Sequence, residues 1–324
     1  MPAPDLNVFL GTITWEEPKA LFSVLAAYLD VLVDRLHRLL SSDTATASIG
    51  TVRQLDIIER RLTGGSVSAL TWPVVAGALL GRASPDFMAT DLTRMLRSPL
   101  ITPFGEAPSI LRAPAWLRHR APGNVLSPLL WPAEISRLEP AWELLNLCGE
   151  DIHHFVRTCT RVVTLRRTAQ RDVTGSWSSD ELIGCTVLVN LHGQAEPLWI
   201  AESLVHEAVH HCQSMLEVSR SFVSNARLAA DETRYVSPWT GTKLTAKSFL
   251  GACFVWFSLA HFWERAHGVV DEETRVVGLH KAVVGFLAAD PAADVRRFAW
   301  ALDPQIPDLI AAIQATARQR WVGC

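Results

Sequence analysis

What this 324-residue chain lacks narrows it before any motif is considered. No two of its six cysteines (Cys148, Cys159, Cys185, Cys212, Cys253 and Cys324) stand in CxxC spacing, which removes the usual ligand pattern of a structural zinc module. Most lie among apolar residues and are read as reduced core thiols of a reducing compartment. Neither charge is in surplus: 30 Lys+Arg against 33 Asp+Glu give a formal net charge of −3. That balance leaves too few cations to track a phosphate backbone, so no nucleic-acid partner is expected. Uninterrupted apolar runs of about 18 residues, the length of a membrane-crossing helix, are absent. The first residues hold neither the basic n-region nor the clean apolar stretch of a secretion signal. A cytoplasmic protein without a membrane partner is therefore expected. Internal repeats are also missing, which excludes a solenoid, and the oligomeric state stays open.

Hydrophobic residues make up 49% of the chain, ample for a buried core. Their spacing predicts a mainly α fold of the α+β kind. Glu16 to Leu40 repeats apolar positions at helical intervals, with Pro18 in a first turn where its missing N–H is harmless. Further helices are predicted at 47–62, 66–81 and 85–97, and one from Pro132 to Cys148 or beyond. The proline-rich stretch before Pro132 favours an irregular connection. "RVVTLRR" and "GCTVLVNL" are short, β-branched and bounded by turn residues, and predict two strands, with "GSWSSDELI" between them. Helical spacing resumes at 197–217, 221–235, 244–267, 270–288, 291–300 and 305–320, with "VSPWTG" as a loop. The expected organisation is a helical N-terminal region over 1–150 and a metal-motif region over 151–324, joined in one globular unit. A small β-sheet should lie beside the helix that carries the motif.

That motif sits in "LWIAESLVHEAVHHCQSMLEV", where His206, Glu207 and His210 form an HExxH. Residues four apart on a helix project from one face about a turn above one another, so His206 and His210 can offer two imidazoles to one cation. Pro197 suits the first turn, and the apolar residues around the motif can bury most of the helix surface. Glu202, one turn before His206, is placed to hold an imidazole tautomer. Two histidines are not a complete ligand set. Glu232 follows His210 at about the spacing of the third ligand in thermolysin-like zinc peptidases, and His261 lies on a long apolar helix downstream. A metzincin is excluded, because "HCQSMLEV" after His210 supplies no further histidine at the required place.

"GSWSSDELIGCTVLVNL", "EPLWIAESLVHEAVHH", then Ser237-Pro238-Trp239 and an aromatic-rich helix resemble the HExxH proteins of bacterial peptide-modification gene clusters. These are the 2-oxoglutarate-dependent HExxH-type peptide β-hydroxylases, and the similarity spans about Thr174 to Arg265. The resemblance implies a non-haem iron(II) oxygenase of natural-product biosynthesis that hydroxylates a peptide or amino-acid-derived substrate. His206 and His210 would bind iron, 2-oxoglutarate would chelate it, and Glu207 would be the site carboxylate beside the metal. The chain departs from the family pattern after Ser-Pro-Trp. No arginine stands where the co-substrate would be anchored, leaving Lys243 and Lys247 as the cations available. The family's next histidine falls on Phe249, Leu250 or Gly251. Two other readings stay open: a zinc hydrolase with His206, His210 and Glu232 as ligands and Glu207 as general base, and a non-catalytic peptide-binding homologue.

Overall fold

Local signals account for where most helices begin. Asp5 caps helix α1 (Leu6–Ile13) by accepting from the Asn7 amide, Thr245 caps α6 (Ala246–Arg265) through Ser248, and Asp271 caps α7 (Glu272–Ala288) through Thr274. Each side-chain oxygen takes up an amide that has no partner inside its helix. Pro197 opens α5 (Pro197–Ser219), as its fixed φ favours. The computed structural model describes residues 5–17, 19–41, 109–110, 124–125, 136–160, 162–168, 174–180, 183–191, 195–225 and 235–323. The helices predicted at 47–62, 66–81 and 85–97 lie outside them. The remaining helices are α2 (Ala20–Ser41), α3 (Leu138–Cys148), α4 (Glu150–Cys159), α8 (Pro291–Arg296) and α9 (Ile306–Arg320). No helix among the described residues is long and apolar enough to cross a membrane.

The sheet is small and mixed. Strands β3 (Val162–Arg167) and β5 (Cys185–Val189) run parallel, with Val162 opposite Cys185 and Arg166 opposite Val189. On the far edge of β5, β4 (Gly175–Trp177) pairs antiparallel. The other edge of β3 takes the two-residue strands β1 (Ser109–Ile110) and β2 (Asn124–Val125). Every residue of β5 is buried, which is why "CTVLV" is continuously apolar instead of alternating. A mainly α protein with a small sheet beside the HExxH helix is what the sequence predicts.

The strand content is larger than expected in three places. The proline-rich stretch before Pro132 contains β1 and β2. "GSWSSDELI" contains β4. "VSPWTG" turns between β6 (Tyr235–Val236) and β7 (Lys243–Leu244), an antiparallel hairpin. The helical piece expected from 221 to 235 is not found where those residues are described: Val223 bridges Leu302, and Tyr235 belongs to β6.

Residues from both sides of position 150 share one core. Phe9 of α1 meets Phe254 of α6 at 5.0 Å and Phe222 at 5.8 Å, edge to face in both pairs, the geometry aromatic quadrupoles favour. The Ser258 hydroxyl donates to the Ile13 carbonyl at 2.6 Å. Beyond α6, α7 offers two glycines as seats for indoles: a Cβ at Gly278 would lie 2.2 Å from Trp263, and one at Gly285 would lie 2.3 Å from Trp239. Trp239, the aromatic residue of Ser-Pro-Trp, also donates its Nε1–H to the Ala282 carbonyl at 2.9 Å and stacks on Trp256 at 6.0 Å. The hairpin is thereby fixed to α7. Gly285→Ala should destabilise the protein by about 1–3 kcal/mol through overpacking, and chemical denaturation compared with the parent chain measures it. An unchanged midpoint would contradict this packing.

Candidate functional site

On α5, the motif divides between two faces. His206 and His210 turn to one side, their ring centroids 5.0 Å apart. They line a cleft of about 470 Å³. Its other walls come from Ser178, Ser179 and Asp180 after β4, from Ser237, Thr240 and Thr242 of the hairpin, and from the α6 side chains of Lys247, Ser248 and Trp256. Burial pushes His206 down to about 4, with a contribution from His210 and Lys281 against the opposing pull of Glu207. At neutral pH its imidazole is unprotonated, the form that donates a lone pair to a cation.

Glu207 and His211, also four apart, are held by the sheet side, although His211 also borders the cleft. Glu207 is only 3% exposed and does not line the cleft. Ser176 of β4 donates to its Oε1 at 2.6 Å, and Ser178 donates to its Oε2. Burial opposes the charged form, but His206, His210 and the two serine hydroxyls outweigh it, and the carboxyl stays below its ordinary value. The Gly184 amide donates to His211 Nδ1 at 3.0 Å. The ring proton therefore sits on Nε2, which contacts the Thr186 hydroxyl at 3.1 Å. Burial holds this imidazole at about 4 as well, so it stays neutral as a structural link between α5 and β5.

The remaining predicted residues scatter. Lys247 lines the cleft, and its ammonium contacts Asp180 and lies 2.7 Å from Glu217 Oε2. Lys243 is exposed on β7 and does not line the cleft. Glu202 faces Lys281 at 3.4 Å, an ion pair that reaches α7. Glu232 lies outside the described residues. His261 is 4% exposed, with ring contacts to Phe257 at 4.9 Å and Trp321 at 5.1 Å. It sits roughly 15 Å along α6 from Gly251, by the rise of an α-helix, and does not join the histidine pair.

Gly251 itself faces that pair: a Cβ there would lie 3.1 Å from His210 Cε1 and 3.2 Å from Gln213 Oε1. One of the three positions where the resemblance expects a histidine is thus at the site but carries no side chain. Among the described residues, no group of three or more His, Cys, Asp or Glu side chains is arranged to hold a metal ion. Two histidines with an open cleft before them are what the described site offers a cation.

Asp180, Gln213, Ser214 and Glu217 were not anticipated as site residues. The three on α5 follow His210 at intervals of three, four and seven, the spacing of one helix face, so that signal was available in the sequence.

Two outcomes follow from these positions. Gly251→Ala should press a methyl group against the His210 ring and weaken binding of a divalent cation such as cobalt(II) by about tenfold, as read by calorimetric titration. Burial, helped by Arg320 and Arg265, lowers His261 to about 3, and its Nε2 has no hydrogen-bond partner among the described residues. Since the unfolded chain takes up this proton at about 6.5, the neutral buried form contributes no pH dependence above that value. Stability should then fall as pH drops from about 6.5 toward 3, by up to about 1.4 kcal/mol per unit. His261→Leu should flatten that slope in urea titrations at a series of pH values. No family model and no curated protein matches the chain, and the site is therefore read from its own residues.

Proposed function

We propose that this chain is a metal-dependent oxygenase of the non-haem iron kind. It would hydroxylate an unactivated C–H of a peptide or amino-acid-derived substrate in natural-product biosynthesis, with His206 and His210 as its iron(II) ligands. The observation that carries this reading is the division of the motif: the two imidazoles face an open cleft, while Glu207 is turned back and held at both oxygens. Two imidazoles would supply two ligands of the facial set that non-haem iron oxygenases use and leave the remaining coordination positions for other ligands. Bound there, iron(II) supplies the one-electron and dioxygen chemistry that amino-acid side chains lack.

The protein's own contribution is positional. Ser176 and Ser178 fix the Glu207 carboxylate behind the imidazoles, where its negative charge offsets part of a cation's charge. His211 fixes the rotation of α5 through Gly184 and Thr186. The hydroxyls of Ser179, Ser237, Thr240 and Ser248 offer donors and acceptors to the amides of a peptide. Trp256 gives the same cleft an apolar surface.

The zinc-hydrolase reading has less support. Its general base must reach a metal-bound water, yet both oxygens of Glu207 accept from serines and the residue does not line the cleft. A non-catalytic peptide-binding homologue would share the hydroxyl-lined walls but not a stoichiometric metal. The described residues do not fit 2-oxoglutarate: no arginine lines the cleft, Lys243 is outside it, and Lys247 already meets two carboxylates. No step is routed through that co-substrate, so hydroxylation by dioxygen, which places one oxygen atom in the substrate and reduces the other to water, would draw its two electrons from an external electron-donor protein.

Anaerobic titration with iron(II) should give one equivalent bound per chain, with affinity reduced roughly a hundredfold in His206→Ala and in His210→Ala. Tight zinc together with peptide hydrolysis would favour the hydrolase instead. Absence of any stoichiometric metal in the folded chain would favour a binding protein.

A further inference from the structure

We infer that Lys247 is a positioning residue for the histidine pair and not an anchor for an anionic co-substrate, an inference that rests on the metal-site reading above. Lys247 is the second residue of α6, and its ammonium crosses to Asp180 on the segment after β4 and to Glu217 on α5. Asp180 also accepts from the Ser214 hydroxyl at 2.6 Å, and Glu217 accepts from Gln213 Nε2 at 3.3 Å. One cation therefore ties three elements together at the cleft. The Asp180 it holds is two residues beyond Ser178, whose hydroxyl holds Glu207, and Glu207 is the neighbour of His206. The path from α6 to the imidazoles runs through ion pairs and charge-assisted hydrogen bonds, the strongest class of polar contact.

The electrostatics point the same way. Burial disfavours the ammonium, but Glu217 and Asp180 outweigh it and raise the Lys247 pKa. Two carboxyl groups face this one ammonium, and burial raises the Glu217 carboxyl in spite of it. A dicarboxylate that recruited Lys247 would have to displace Glu217, whose side chain is 6% exposed. That would leave a buried carboxylate without its ion-pair partner, an expensive state. It would also bring a dianion toward the charge of Asp180. A clasp of this kind positions its neighbours and rejects the co-substrate.

The test uses full-length protein with Lys247→Met, Lys247→Arg, Asp180→Asn and the Lys247→Met/Asp180→Asn double variant. Cobalt(II) serves as a spectroscopic stand-in for iron(II), and 2-oxoglutarate is titrated separately onto the iron-loaded chain. Lys247→Met should weaken cobalt(II) binding about tenfold and shift its ligand-field bands, while Lys247→Arg should restore both. Asp180→Asn should add nothing to Lys247→Met, because coupled residues are not additive. Parental iron protein should show no 2-oxoglutarate charge-transfer band. The inference is overturned if that band appears in the parent and is lost in Lys247→Met with cobalt(II) affinity unchanged. It also falls if the ligand-field bands do not move in any variant, including Asp180→Asn alone. Failure of the metal-site reading looks different: the parent then binds neither metal and His206→Ala changes nothing, and the inference falls with it.

Discussion

Helix α5 presents His206 and His210 to the cleft because the sheet grips its other face. "HEAVHH" contains two pairs spaced by four residues, His206 with His210 and Glu207 with His211. A helix alone does not choose between them. The sheet does, by spending serine hydroxyls on Glu207 and a backbone amide and a threonine on His211. Buried polar groups that lost these partners would carry a desolvation penalty of about 1–3 kcal/mol each, so the rotation of α5 is strongly determined. The exposed direction of the first pair follows from the satisfied state of the second.

The opposite wall depends on close approach as well as on the Trp239 hydrogen bond and the Lys247 ion pairs. Gly251 lets the α6 backbone come against His210 and Gln213, and the hairpin that carries Ser237 and Thr240 is held by the indole of Trp239 against Gly285. Lys281 belongs to the same layer: it lies 5.3 Å over the Trp256 ring while it faces Glu202. Both walls of the cleft carry polar side chains, and the second is also shaped by volume. Cores tolerate little change in volume where backbones meet through glycine, so the second wall is the less adaptable of the two.

Much of this architecture was legible in the sequence where a single period dominates. The runs that became α5, α6, α7 and α9 repeat apolar residues at helical spacing over four or more turns, and the unbroken β-branched runs became β3 and β5. What was not legible depends on partners distant in sequence. β4 is three residues long, "GSW", and is extended because β5 pairs with it and α5 lies against it, neither of which is encoded locally. Ser176 and Ser178 stand in a stretch that the sequence places only between two strands, and their part in holding Glu207 depends on a helix about thirty residues away. The sequence offers Lys247 as a cation available to a co-substrate, and it lines the cleft. Its two carboxylates, on separate elements, could not be seen to converge on it before folding. Gly251 shows the opposite limit: the sequence located the position, but only the packed helices give the reason for a missing side chain.

Gly278 and Gly285 are seven residues apart, almost two full turns of α7, and each seats an indole from a different element, Trp263 of α6 and Trp239 of the hairpin. The two seats act as a pair of detents. For α7 to slide along α6 by one turn, both indoles would have to ride over side chains at once, so shear between these helices is blocked even though each contact alone is small. The width of the cleft between α5 and the hairpin is then a built-in dimension of the fold, set before any ligand arrives.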